Sequence, residues 1–237
     1  RYAIAVKQLA GGDSYKSVHD RLYAMRGAVT IESLNAISQE LGLDAQAIVA
    51  TAEGYDLLPG NADLTAAELE LMDADGREQR LRRALEPLRP RYDFILIDCP
   101  PALSLLTLNA LTAADSIIVP MQCEYYALEG LAALMNTVEQ IQETVNPNLQ
   151  VEGILRTMYD PRNSLTLDVS GQLSEYFGDK VYRAVIPRNV RLAEAPSYGV
   201  PALKYDRASK GAIAYLALAG EMVRRHGSKK TSAPVAV

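Results

Sequence analysis

The sequence predicts an α/β fold in which a mostly parallel sheet carries helices on both faces. Two observations predict this fold. From Tyr92 onward, short apolar runs alternate with stretches of helical length and periodicity. The runs are also mostly apolar on both faces, as strands covered by helices on both sides are. Strands that alternate with helices favour right-handed crossovers and therefore parallel strand pairs.

Each predicted element rests on the length and period of its apolar residues. The apolar runs too short for a helix predict strands at 94–97, 116–120, 151–158 and 181–186, with a short strand and turn at 55–58. Helical spacing predicts helices near 63–72, 77–88, 104–113, 127–144, 165–177 and 209–225. These elements define an α/β domain over 51–225, followed by a tail, 226–237, that we expect to be disordered.

Residues 1–50 have a different pattern, which predicts a mostly helical segment. Thr30 is placed to cap a helix with apolar residues at helical spacing, and Asp44 is placed to cap a shorter helix that runs through Ile48. We therefore expect residues 1–50 to form a segment separate from the α/β domain.

Composition limits the compartment and the chemistry. Of 237 residues, 49% are hydrophobic, yet no apolar run approaches the ~20 residues that a membrane span requires. The chain begins without a basic-then-apolar leader, so we expect a cytoplasmic protein without a membrane partner. Its two cysteines, Cys99 and Cys123, fit a reducing compartment and are expected to be small buried residues.

Charge is distributed unevenly along the chain. The net charge is −5, but residues from Lys180 onward contain eleven Lys and Arg against three acidic residues, a balance of +8. Residues 1–179 therefore carry −13. Such asymmetry is compatible with a basic face that meets phosphate backbones, and equally with charges that point in many directions on a solvated surface.

Asp98 is the strongest single candidate for chemistry. It follows the apolar run 94–97 and precedes two prolines, Pro100 and Pro101. Ligands of open parallel sheets bind beyond the carboxyl ends of the strands, where a carboxylate can hold hydrated Mg²⁺ through its water shell. The alternative role for Asp98 is to cap the turn that follows.

Long stretches of the chain resemble the ParA/Soj family of chromosome- and plasmid-partitioning ATPases, a deviant branch of the P-loop NTPases. They span about three quarters of the chain in the family's order, at 58–61, 77–81, 92–101, 105–111, 119–131, 157–160, 186–197, 205–206 and 209–212. The resemblance implies a protein that binds ATP and Mg²⁺, dimerises around nucleotide, binds DNA without sequence preference and is stimulated by a ParB-type partner at the centromere. It also implies a location on the nucleoid.

The resemblance assigns residues to the nucleotide site. Asp98 would be the Walker B carboxylate, holding Mg²⁺ through water. Four residues would lie in the two loops around the adenine base: Met158, Tyr159, Pro187 and Asn189. Apolar and aromatic groups suit the faces of the ring, and an Asn side chain suits its edge. The alternative is that Met158 and Tyr159 are core residues at the end of a strand.

Three basic residues match the family's DNA-binding surface: Lys180, Arg183 and Arg207. Such residues bind phosphates without reading sequence, and their contribution falls with salt. The family usually has Tyr-Asp-Pro-Arg-Ser where this chain has Tyr-Asp-Arg-Ala-Ser at 205–209, so Arg207 is displaced by one position.

The phosphate-binding loop of the family has no match in the sequence. Such a loop needs glycines where side chains would collide, and a Lys followed by Ser or Thr at its end. The nearest candidate, 11–17, has Tyr15 where Gly is required, one residue too many, and Asp13 beside the phosphates. We therefore expect an α/β domain incomplete at its N-terminus, with residues 1–50 foreign to the family, through a truncated or fused reading frame.

Two functions follow from these observations. The first is a ParA-type partitioning protein whose ATPase activity is impaired because the phosphate loop is missing. The second is a fragment without enzymatic activity that acts only as a DNA- or protein-interaction module. A membrane-anchored MinD-type role is disfavoured because the C-terminal tail at 227–234 has no bulky apolar face.

Overall fold

The computed structural model describes residues 49–50, 56–58, 60 and 63–230, and the predicted helices after Thr30 and Asp44 lie outside them. The strands are β1 (Val49–Ala50), β2 (Asp56–Leu57), β3 (Ser116–Gln122), β4 (Gln150–Tyr159) and β5 (Val181–Pro187). The helices are α1 (Asp63–Leu71), α2 (Arg80–Leu85), α3 (Leu105–Ala113), α4 (Tyr125–Thr144), α5 (Ser164–Phe177), α6 (Val190–Glu194), α7 (Ala202–Tyr205) and α8 (Lys210–Lys230).

A three-stranded sheet in the order β3-β4-β5 confirms the predicted α/β class. β4 and β5 run parallel, with Tyr159 opposite Pro187 at their carboxyl ends. The two strands are joined through helix α5, as the alternation of strand and helix predicts. The apolar runs thus locate three strands to within two residues, because strands with most of both faces buried leave a largely apolar signature.

The chain divides into two compact units, Arg1–Ile117 with Leu134–Val151 and Ile118–Ala133 with Glu152–Val237. In the first unit, the buried amide of Asn109 on α3 donates to the carbonyls of Arg77 and Leu105 and accepts the Leu81 N–H, at 2.8, 3.0 and 3.1 Å. This one side chain therefore joins the start of α2 to α3.

The core of the second unit lies where α8 packs on β5. Its buried residues are Ile118, Leu155, Tyr182, Ile186, Leu218 and Met222. Glycine at 211 lets α8 approach α6 closely, since a Cβ there would lie 2.4 Å from Cγ of Leu192. The end of the sheet and the segment after it are therefore held against one helix.

The prediction of a strand at 94–97 is wrong. Residues 94–100 form no strand in the described part of the chain, and Phe94 and Leu96 are 44% and 37% exposed. An apolar run indicates that a segment can be buried. A strand also requires a neighbouring strand that pairs with its backbone N–H and C=O groups.

The structure differs from the sequence predictions at three other places. The helix expected over 77–88 begins as a 3₁₀ turn and its α-helical part ends at Leu85, two residues before Pro87, which cannot continue a helix. Val49–Ala50, inside the segment expected to be mostly helical, pairs antiparallel with Asp56–Leu57. Helix α8 continues to Lys230, beyond the predicted end near 225. Among the described residues, no helix combines the length and hydropathy that a bilayer span needs.

Candidate nucleotide and DNA site

The four residues predicted to surround an adenine base meet at the carboxyl ends of β4 and β5. Tyr159 and Pro187 are partners across the parallel pair, and the N–H of Arg188 donates to the Tyr159 carbonyl at 3.3 Å. Met158 precedes one partner and Asn189 follows the other. The two loops therefore leave the sheet side by side, at the edge where parallel sheets bind ligands.

Met158 has a backbone conformation that apolar residues rarely adopt. Its φ is +51°, in the left-handed region, and the residue is 41% exposed. Such a conformation costs on the order of 1–3 kcal/mol, and strain of this kind concentrates at ligand sites. Met158 is therefore not a core residue at the end of the strand, and it is available to flank a ligand.

Tyr159 is held by Arg156, a residue that the sequence analysis did not single out. The Arg156 guanidinium lies 5.9 Å from the centre of the Tyr159 ring and donates to Ser170 Oγ and to the Tyr182 carbonyl, both at 2.8 Å. It thereby connects the β4 end to α5 and β5. The available signal was an arginine inside a run predicted to be a buried strand.

The loop after β4 is fixed by a carboxylate. Both oxygens of Asp160 accept from the Arg162 guanidinium, at 2.9 and 2.8 Å, and one also accepts the Arg162 backbone N–H. These bonds, with the nearby Arg188 charge, lower the pKa of Asp160 to about 2. Asn163 then caps α5 by accepting the Leu165 N–H. The turn after β4 therefore carries an ionised carboxylate that is hydrogen-bonded within the turn.

Asn189 has a structural role that the sequence did not predict. Its side-chain oxygen accepts the Leu192 N–H at 3.3 Å and so caps α6. Recognition of a base edge by this residue is left to its amide N–H groups and to the second lone pair of the oxygen, because the cap uses only one lone pair.

Asp98 lies in the first unit, on the segment that forms no strand, and its side chain is exposed. The loop after it is anchored where α3 begins. The Thr107 hydroxyl donates to the Ala102 carbonyl at 2.8 Å, and the Glu68 carboxylate accepts the Leu105 N–H at 2.9 Å. An exposed carboxylate beside an anchored loop fits a water-mediated Mg²⁺ ligand, whereas the sequence offers no loop to hold the phosphates.

The cysteines lack the setting of a reactive or metal-binding pair. Cys123 is buried, and burial raises the pKa of its thiol, while Cys99 is partly buried. Among the residues that the structure describes, no group of three or more His, Cys, Asp or Glu side chains is placed to hold a metal ion directly.

The predicted DNA contacts are exposed at two places in the second unit. Lys180 ends a 3₁₀ turn immediately before β5, and Arg183 lies in β5 itself. Arg207 lies on the turn before α8. The neighbouring Asp206 accepts the Ala208 N–H at 3.1 Å and pairs with Arg191 at 3.4 Å. That turn is therefore ordered by its own carboxylate.

Comparison with known proteins identifies the relatives of the chain. The sequence profile of a family described as "AAA domain" matches residues 15–151. The sporulation initiation inhibitor protein Soj of Bacillus subtilis is 54% identical over 172 residues, which cover 73% of this chain and 68% of Soj. The chromosome partitioning protein ParA of Caulobacter vibrioides is 50% identical over 182 residues, which cover 76% of this chain and 68% of ParA.

Solved structures share the fold of the chain. A cobyrinic acid a,c-diamide synthase from Mycobacterium smegmatis, solved with bound ADP and magnesium, superposes with a TM-score of 0.68 at 36% identity, over 94% of this chain and 81% of that one. The chain spans 65% of the length of the first of these curated relatives, a little under two thirds, and from 64 to 68% in the matches above 50% identity. On sequence and structure together, the chain belongs to the ParA/Soj family of chromosome-partitioning proteins.

Proposed function

We propose that the chain is a ParA-type partitioning protein that keeps the base-binding and DNA-binding ends of the family's mechanism and is impaired in ATP hydrolysis. The observation that carries the nucleotide part is the pairing of Tyr159 with Pro187, which sets the two predicted base loops side by side. The exposed, strained Met158 supplies an apolar surface at the same edge.

The chain offers more residues suited to bind the base of a nucleotide than residues suited to bind its phosphates. Met158 and Tyr159 suit the faces of an adenine ring, and the Asn189 amide suits its edge. No lysine in the printed sequence stands in a Gly-Lys-Thr context, the context in which the family's loop lysine neutralises phosphate charge. Asp98, in the first unit, would hold Mg²⁺ through water.

The DNA part follows from charge and exposure. Lys180, Arg183 and Arg207 are exposed within a quarter of the chain that carries +8. We propose that they bind the phosphodiester backbone of any duplex, on a chromosome or a plasmid, which would keep the protein on the nucleoid in the cytoplasm. A ParB-type partner and a nucleotide-dependent homodimer are the remaining parts of this proposal.

Comparing ATP with adenosine tests the nucleotide part. Since only the base end is supported, the two ligands should bind with dissociation constants within about tenfold of each other, because the phosphates add little without a loop to hold them. Ligand-observed NMR in Mg²⁺ measures both. Tyr159→Ala should abolish the binding, and Tyr176→Ala, which alters an exposed tyrosine of α5, should leave it unchanged.

The two outcomes that contradict this proposal differ in meaning. If ATP binds more than a hundredfold tighter than adenosine, this chain does bind the phosphates of the nucleotide. If neither ligand binds while DNA binding persists, the chain is an interaction module without nucleotide, which is the second function that the missing loop favours.

A further inference from the structure

The register of β5 against β4 is irregular, in the manner of a bulge, at the residue predicted to contact DNA. Between the pairs Ile154–Val181 and Arg156–Val185, β4 advances two residues while β5 advances four. The extra length lies in residues 182–184, with Arg183 at its centre. Bulges bend a strand and change the direction of a side chain, and they recur next to functional sites.

A buried carboxylate of α8 closes this bulge. The two oxygens of Glu221 accept the successive backbone N–H groups of Arg183 and Ala184, at 3.0 and 2.9 Å. Glu221 is 8% exposed and also accepts from the Arg225 guanidinium at 2.8 Å. Burial acts to raise the pKa of Glu221, yet these donors hold it below its ordinary value, so the carboxylate is ionised in the folded protein.

The residue before Arg183 is locked inward. Tyr182 is fully buried, and its ring lies over Gly153 of β4, where a Cβ would come within 2.6 Å of Cε2. The Arg225 guanidinium stacks on the same ring, 4.1 Å from its centre, and donates to the carbonyls of Glu152 and Val181 at 3.3 Å. With Tyr182 held inside, Arg183 is exposed.

We propose that Glu221 is a positioning residue for DNA binding: it fixes the β5 bulge that presents Arg183 to the phosphate backbone. This inference rests on the proposed DNA-binding function and adds to it the group that sets the direction of one contact. Glu221 acts through Arg183 and touches no DNA. In the sequence it counts only as a negative charge within a basic region, which by itself opposes binding.

The sign of the effect separates positioning from simple electrostatics. Glu221→Gln removes one negative charge from the basic quarter, so electrostatics alone predicts tighter binding of any duplex. Positioning predicts weaker binding, because a neutral amide keeps one acceptor oxygen where the carboxylate has two. Glu175→Gln removes the same charge from an exposed position on α5 and is the matched control.

The magnitude follows from counterion release. One phosphate contact contributes about 0.9 to the slope of log K against log salt, which corresponds to roughly eightfold in affinity at 0.1 M salt. Fluorescence anisotropy of a labelled duplex at several salt concentrations measures both quantities. For Glu221→Gln we expect a loss approaching eightfold and a slope shallower by up to about 0.9, whereas Glu175→Gln should bind as the unaltered chain or slightly tighter.

A double-mutant cycle tests whether Glu221 acts through Arg183. Arg183→Gln should weaken binding by about the same factor, and adding Glu221→Gln to it should weaken binding no further. Arg225→Lys keeps the net charge but loses the planar stack on Tyr182, so it should also weaken binding. If circular dichroism shows that Glu221→Gln does not fold, Arg225→Lys provides an independent test of whether the contacts around Glu221 position Arg183.

The outcomes distinguish this inference from the function it rests on. If Arg183→Gln weakens binding while Glu221→Gln and Arg225→Lys do not, or if the losses in the double mutant add, the positioning role is overturned and DNA binding stands. If the unaltered chain does not bind DNA, or Arg183→Gln has no effect, the DNA contact and the positioning role fail together.

Discussion

Replacing Gly153 with alanine should destabilise the protein more than any ordinary surface change. Gly153 lies in β4, and its new Cβ would come within 2.6 Å of the Tyr182 ring and 2.7 Å of the Lys180 carbonyl oxygen. The oxygen belongs to the backbone and the ring is fully buried, so neither moves without disturbing β5. Overpacking of this kind costs roughly 1–3 kcal/mol in the free energy of unfolding.

The expected loss of stability can be measured by thermal unfolding. For a chain of this length each kcal/mol corresponds to about 2–4 °C, so a loss near 2 kcal/mol lowers Tm by roughly 4–8 °C. The matched control is Gly171→Ala, on the exposed face of α5, where a Cβ meets nothing within 4 Å. Alanine is the better helix former, so the control should stabilise the protein by about 0.5–1 kcal/mol.

Circular dichroism followed on heating measures both variants against the unaltered chain. The two glycine-to-alanine changes are chemically identical, so opposite signs report only the space around each position. A Gly153→Ala variant whose Tm equals or exceeds that of the unaltered chain would refute the close contact of Tyr182 with β4, and with it the description of the bulge.

Three further predictions concern other parts of the molecule. Asn109→Ala removes a buried amide that bonds partly buried backbone groups of Arg77 and Leu81, so it should cost about 1–3 kcal/mol in urea denaturation, whereas the exposed Asn136→Ala should cost nothing. Arg162→Gln should return the pKa of Asp160 from about 2 toward 3.8, as measured by carboxyl ¹³C NMR. In the unaltered chain the pKa of Asp160 is depressed in the folded state, so the stabilisation from the Asp160–Arg162 pair is present above pH 4 and disappears toward pH 2. Phosphate release from ATP should not exceed background, and Asp98→Ala should not change it; release that Asp98→Ala abolishes would refute the impaired ATPase.

The sequence predicts elements well where burial alone decides them. The apolar runs place β3, β4 and β5 because strands covered on both faces need continuous apolar residues. The same rule fails at 94–97, where the apolar run is present and no strand forms in the described structure. Strand pairing depends on a partner elsewhere in the chain, which the local pattern does not contain.

In the candidate site, too, some features follow from the local sequence and others from contacts with distant residues. The resemblance brings Met158, Tyr159, Pro187 and Asn189 together, and the register of β4 with β5 explains why they meet. The left-handed backbone of Met158 was not predictable, since methionine gives no local signal for it. Nor was the role of Glu221, whose bonds to β5 span 37 and 38 residues of sequence.

Duplex binding as a function of salt tests the central claim most directly. Two duplexes of equal length and unrelated sequence, titrated by anisotropy between 50 and 200 mM salt, should give equal affinities at every salt concentration. If Lys180, Arg183 and Arg207 each neutralise one phosphate, log K should fall against log salt with a slope of about −2.7. A preference above tenfold for one sequence, or an affinity indifferent to salt, would contradict the claim that this chain is a nonspecific DNA-binding member of its family.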